Sequence, residues 1–198
     1  MIIASVIAGT AYMCWKIHKQ CAICKEHIFY MMFLNTICIF GLGISVNMIM
    51  YNAVSFTSLG GAVGLLTAGI CNAYIFKEEQ IIKISTVSLP LIYSISKIGC
   101  LLAGCCGGGI VVMQKTIPVQ LIETIVFFII FAVFHINYER ISVAAMITIC
   151  CICKMLLDFL RQSHEDTFLT KNQIGCLIIL ILTIIIENRR KASKLRGK

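Results

Sequence analysis

Four ionisable residues lie within or at the edge of long apolar runs: Lys97, Glu123, Lys154 and Asp158. A charged side chain at membrane depth costs about 2.5–3.5 kcal/mol on insertion scales, so each needs a partner or a task. A lysine ammonium is a compact point charge that suits phosphate. Two such groups facing one cavity can hold a phosphate, with Glu123 and Asp158 offsetting part of their cost. Lys154 and Asp158 are four residues apart and share a helix face, with Cys150, Cys151 and Arg161 near the same stripe. Tyr93, Ser94, Lys97 and Cys100 form a second polar stripe. The same charges also suit a plainer role as buried ion pairs that fix helix register.

Lys97 opens a stretch to Gly109 that holds three cysteines and five glycines. Glycine lets backbone approach backbone or ligand closely. Upstream, Gly60, Gly64, Ala68 and Cys71 fall on one helical face. That spacing suits close helix packing, and with Gly61 it equally suits an opening for a lipid headgroup. Cys105 and Cys106 are adjacent, but no histidine is near in sequence to act as their base. Cys21 and Cys24 have no second pair beside them, and a structural zinc needs four ligands. His18 and His27 are the only nearby candidates to complete one, so neither metal nor cofactor is expected. His135 and His164 are isolated and read as surface or satisfied residues.

The elements that position these groups follow from composition. The chain has 198 residues, 59% hydrophobic and 13% charged, against about 25% charged in soluble domains. Apolar runs approach the roughly 20 residues needed to cross a bilayer. The expected fold is an all-α, polytopic membrane bundle of about seven helices, forming a single domain over residues 1–198. Expected spans are 2–15, 28–50, 57–76, 84–104 (interrupted by Pro90), 118–137, 142–160 and 173–187. The first is the shortest, and a six-span form with that segment lying flat is the alternative. A basic loop is expected from Lys16 to His27, and a glycine-rich, then polar loop over 105–117.

Most of the twelve cysteines sit inside apolar runs, where a thiol behaves as a small hydrophobe. The net charge of +8 does not point to nucleic acid, because six of the cations (Arg189, Arg190, Lys191, Lys194, Arg196 and Lys198) form one tail after the last apolar run. Such a tail suits an anionic cytoplasmic leaflet. With seven spans, Lys16, Lys19, Lys25, Lys77, Lys83 and Arg140 fall on the same side as the tail. Lys115, Arg161 and Lys171 fall on the other. The N-terminus is therefore expected outside and the C-terminus in the cytoplasm. No basic region precedes the first apolar run, so no cleaved signal peptide is expected.

Several stretches, in order, resemble the prolipoprotein diacylglyceryl transferases. Leu59-Gly60-Gly61 followed by Gly64 is similar to that family's His-Gly-Gly segment. Lys97-Ile-Gly99-Cys100, running on to Cys105, Cys106 and Gly107, resembles its Arg-Ile-Gly-Asn signature in a cysteine-rich form. Ile117-Pro118-Val119-Gln120-Leu121-Ile122-Glu123 is similar to its His-Pro-x-Gln-Leu-Tyr-Glu segment. Lys154 through Asp158-Phe159-Leu160-Arg161 resembles its Arg-x-x-x-Glu-Phe-x-Arg segment, and Lys171-Asn172-Gln173 its Met-Gly-Gln turn. Leu59 stands where the family has histidine, lysines stand for two arginines, and Cys100, Ala103 and Cys105 stand for signature asparagines and a glutamate.

The resemblance implies a seven-span bacterial inner-membrane enzyme. It would move a diacylglyceryl group from phosphatidylglycerol to the thiol of a prolipoprotein lipobox cysteine, releasing glycerol phosphate. Lys97, Lys154 and Asp158 would be catalytic. Gly60, Gly61, Gly99, Cys105, Gln120, Glu123 and Arg161 would bind substrate. The departures keep a second reading open, a lipid-binding or accessory membrane protein that keeps the fold without catalysis. A small-solute transporter is disfavoured, because no internal repeat is visible. A reporter fused after Lys198 is expected to read as cytoplasmic and one within residues 107–116 as external. Both reading on one side would overturn the seven-span topology.

Overall fold

In a computed structural model the chain forms seven helices and one short hairpin, described for residues 1–21, 23, 25–104, 109–112, 115–160 and 169–196. The helices are α1 (Ile2–Gln20), α2 (Lys25–Tyr51), α3 (Ser58–Phe76), α4 (Gln80–Leu102), α5 (Val119–Ile136), α6 (Val143–Asp158) and α7 (Lys171–Arg196). Between α4 and α5, strand β1 (Gly109–Val112) pairs antiparallel with β2 (Lys115–Pro118), Gly109 opposite Pro118.

Five helices are long and apolar enough to cross a membrane: α2 to α5 and the first part of α7, Lys171–Arg189. The other two fall short for different reasons. With 16 residues, α6 spans about 24 Å at 1.5 Å per residue, less than the roughly 30 Å hydrocarbon core. In α1 the apolar run ends at Lys16, His18 and Lys19. Large aliphatic and aromatic side chains face outward on α2, α5 and α7, among them Phe33, Phe128 and Ile185. Water would penalise such surfaces, whereas lipid chains match them.

Successive helices run antiparallel. Met1, which caps α1, and Gly9 within it meet Gly99 and Ile92 of α4, and Lys16 and Lys83 both lie over the Tyr138 ring, 4.4 and 4.8 Å from its centroid. Helix α1 thus packs along α4. It also extends past Trp15 to Gln20, so Lys16 is not a loop residue. Its ammonium stem is buried and its charge rests on the Tyr138 face, a cation–π contact. Burial raises the pKa of the Tyr138 phenol. Nor does Pro90 interrupt α4, which continues to Leu102. The proline removes one backbone hydrogen bond, and neighbouring helices hold the segment in place.

The tightest contact is α2 against α3. A Cβ on Gly64 would lie 2.3 Å from the Cys38 carbonyl oxygen, and one on Gly60 would lie 2.6 Å from that of Leu42. The two backbones touch because these positions lack side chains, the usual small-residue device of membrane helices. Cys71, on the same predicted stripe, is exposed. Between the two helices the Asn72 amide donates to Asn35 Oδ1 at 3.0 Å, with both residues buried.

These contacts predict opposite signs for two glycine substitutions. Gly64→Ala forces backbone apart and is expected to lower stability by about 1–3 kcal/mol. Gly41, with nothing within 4 Å of its Cβ position, is mid-helix, so Gly41→Ala is expected to raise stability by about 0.5–1 kcal/mol. Unfolding midpoints in detergent measure both.

Candidate functional site

The charged residues meet at the end of the bundle where α4 and α6 finish and α5 and α7 begin. Lys97 is five residues from the end of α4, Glu123 four from the start of α5, and Lys154 four from the end of α6. At 1.5 Å per residue, all three lie about 6–7.5 Å inside the helix ends. Glu123, fully buried, accepts both ammonium groups: Lys97 Nζ is 3.0 Å from Oε2 and Lys154 Nζ 3.3 Å from Oε1. Lys154 also pairs with Asp158 one turn along its own helix. The Tyr93 hydroxyl donates to Glu123 Oε1 at 2.8 Å. Both ammonium groups lie over the Tyr93 ring, 5.1 and 5.7 Å from its centroid.

Among the described residues, two cations and two carboxylates balance when all four are ionised. Each lysine is paired, so the unpaired ammonium groups that would have demanded a phosphate are not present.

The cluster continues into α7. Thr170 precedes this helix and forms a reciprocal cap with Gln173. Thr170 N–H donates to Gln173 Oε1 at 3.0 Å and Gln173 N–H to Thr170 Oγ1 at 3.3 Å. This is a capping box. The Thr170 hydroxyl reaches Asp158 Oδ2 at 3.4 Å, and Gln173 Nε2 donates to the Met155 carbonyl at 3.2 Å. The start of α7 is therefore tied to the end of α6 and to the charges.

Beside the cluster lies an apolar slot between α3, α4, α6 and α7. Its empty space, open mouth included, is about 630 Å³. Lys154, Asn172, Leu66, Ile147 and Ile179 are among the residues that line it. Lys154 has three N–H donors. Two go to Glu123 and Asp158. A second apolar slot of about 440 Å³ lies toward α1 and α2, and Ser58, Ala62, Leu89 and Tyr93 line both.

The residues singled out in the sequence are distributed as follows. Lys97, Glu123, Lys154 and Asp158 are brought together. Gln120 is buried one turn before Glu123, and its carbonyl accepts from the Thr124 hydroxyl at 2.8 Å. Gly61 lines the second slot against the Phe56 ring, whereas Gly60 faces the α2 backbone and leaves no opening there. Gly99 packs on Met1. Cys105 and Arg161, with Cys106 and Cys24, lie outside the described residues.

Other site residues escaped the sequence reading as site candidates. Leu59 lines the slot and packs against Gly175, whose Cβ position is 2.2 Å from Leu59 Cδ2. Cys176 joins Cys150 and Cys151 on the slot wall. Tyr93 looked like one member of a stripe but is the hydrogen-bond donor to the shared carboxylate. Thr170 and Gln173 had a readable signal, the Thr-x-x-Gln spacing just before an apolar run. Among the described residues, no group of three or more histidine, cysteine or acidic side chains is placed to hold a metal.

Removing Glu123 leaves two buried ammonium groups with one carboxylate between them. Glu123→Gln is expected to cost about 3–5 kcal/mol. Tyr93→Phe, which loses one hydrogen bond to a charged group, is expected to cost about 1.5–3 kcal/mol. Chemical denaturation in detergent should rank them in that order, and the reverse order would show that the carboxylate is not the hub.

No protein-family model matches the chain, and no curated protein matches it.

Proposed function

We propose that this chain is a phospholipid-handling membrane protein and that its activity is diacylglyceryl transfer, from phosphatidylglycerol to a lipobox cysteine thiol. The observation that carries this reading is the slot: an apolar cleft whose lining includes Lys154, a member of the charge cluster. Acyl chain and phosphate have the same division into hydrocarbon and anion. The second slot, sharing its wall with the first, offers a place for a second chain.

In the proposed reaction the cysteine sulfur attacks the glyceryl carbon attached to the phosphate oxygen. The carbon–sulfur bond forms, the carbon–oxygen bond breaks, and glycerol phosphate leaves with the electron pair. Lys154, with Lys97 behind Glu123, stabilises the charge that grows on the leaving oxygen. The thiol must lose its proton, because the thiolate is the nucleophile. In this reading Asp158, the partner of Lys154, receives it. In this reading the site lies in the outer half of a bacterial inner membrane, with the N-terminus outside and the C-terminus in the cytoplasm.

A second reading has its own support. Leu59, an alkyl side chain, occupies the slot where the resembling family has histidine, and the four charges are already balanced. A protein that binds phospholipid without turning it over needs no more than this.

One experiment separates the readings. Purified protein is incubated with phosphatidylglycerol vesicles and a lipobox peptide, and both bound lipid and thioether product are measured by mass. Transfer predicts both. Lipid without thioether, where an authentic transferase works, selects the binding reading. Neither lipid nor product overturns both. The double variant Lys154→Met/Asp158→Leu removes the cation together with its own partner, and is expected to lower retained phosphatidylglycerol about tenfold, the equivalent of one charge-assisted hydrogen bond.

A further inference from the structure

A second residue with a polar side chain lines the slot, and the charge cluster does not use it. Asn172 is the second residue of α7 and lines the slot beside Lys154. Its Oδ1 is buried and accepts no hydrogen bond among the described residues. Its neighbours in the turn are committed: Lys171 Nζ donates to the Met50 carbonyl, and Gln173 is held by Thr170 and Met155. A buried acceptor with no donor is costly, and native proteins rarely keep one without a reason. Asparagine is also a poorer helix former than the alanine, glutamate or lysine an ordinary first turn would accept.

We infer that Asn172 is a specificity-determining residue, its amide oxygen accepting a hydroxyl from the headgroup of a phospholipid whose phosphate meets Lys154. The inference rests on the proposed lipid reading of the slot. Lys154 supplies a cation for the phosphodiester, and a cation alone treats all anionic diester lipids alike. An acceptor beside it adds a demand for a donor next to the phosphate. A glycerol headgroup meets that demand; a simple alkyl headgroup leaves Oδ1 as it stands now. Sites built to bond a hydroxyl reject analogues that lack it, because their own polar group then stays unpaired.

The test uses the full chain and two lipids of equal charge, dioleoyl phosphatidylglycerol and dioleoyl phosphatidylethanol. The protein is equilibrated in mixed micelles with equal amounts of both, repurified, and the retained lipids are counted by mass. The wild type is expected to retain phosphatidylglycerol over phosphatidylethanol by about fivefold, the worth of one ordinary hydrogen bond. In Asn172→Leu and Asn172→Ala the ratio is expected to fall to about one, with phosphatidylethanol retention unchanged.

In lipid-free detergent, Asn172→Leu is expected to melt no lower than the wild type, because it deletes an acceptor that bonds nothing. Wild-type retention of both lipids in equal amounts would overturn the role of Asn172 and leave the lipid slot standing. Retention of neither would overturn the slot itself. A lower melting temperature for both variants would assign Asn172 to the fold, through a bridging water, and overturn the headgroup role.

Discussion

One carboxylate, Glu123, answers two ammonium groups from two other helices, and the geometry of α4, α5 and α6 follows from that. A buried charge is tolerated when it is paired and its remaining hydrogen-bond sites are filled. Glu123 meets the requirement with Lys97, Lys154 and the Tyr93 hydroxyl. Asp158 supplies the second negative charge, so the four described groups balance. A neutral cluster can sit one turn or so below the helix ends without a large solvation penalty. A sliding helix would break the balance, so the cluster sets register as well as holding charge. Through Thr170 and Gln173 the same constraint reaches α7, which has no charge of its own in the cluster.

The two halves of the bundle are joined by different physics. In α2 and α3, glycines bring backbones into contact and one asparagine pair bonds across the seam. In α4 to α7, larger side chains keep the helices apart and ion pairs with caps hold them. The slot lies between these regimes. On the α3 side, Ala62 and Leu66 present little bulk, and on the α6–α7 side Cys150, Cys151 and Cys176 are small as well. A cleft forms because neither glue operates there: no backbone contact closes it and no charge pair crosses its depth. This explains why several of the many cysteines collect on its wall, as small apolar residues rather than as ligands or disulfide partners.

Much of this was legible before any coordinates. Apolar runs gave the helices, because hydrophobic length is a direct requirement of the bilayer, and the ionisable residues within them stood out because they are expensive. The pairing of Lys154 with Asp158 was readable from helical spacing alone. Glu123 bridging both lysines was not, since nothing in a sequence fixes which faces of α4 and α5 meet. Helix ends were misread where composition and packing disagree. Lys16 looked like a loop cation, yet the Tyr138 ring gives its charge a place inside the bundle. Pro90 looked like a break, yet a helix flanked on both sides by partners continues through one lost hydrogen bond. The glycine stripe on α3 had two readings, and Gly60 and Gly64 take the packing one because the α2 carbonyls fill the space where a ligand would need to enter.

The charge balance also bears on how an anion can be accommodated. Among the described residues the four ionised groups sum to zero, so these four attract phosphate from a distance less than an isolated pair of lysines would. Attraction must be local, through Lys154, which lines the slot, and it must compete with Glu123 and Asp158 for the same ammonium. That competition is uneven. Glu123 is wholly enclosed and holds Lys97 as well, whereas the Lys154 side chain keeps 11% of its surface exposed. The cluster is therefore rigid at its Glu123 core and yielding at its Lys154 edge, which is the edge that lines the slot. A site of this kind favours ligands that bring their own hydrocarbon into the cleft, because burial of that apolar surface supplies the driving force and the ammonium decides where the headgroup stops.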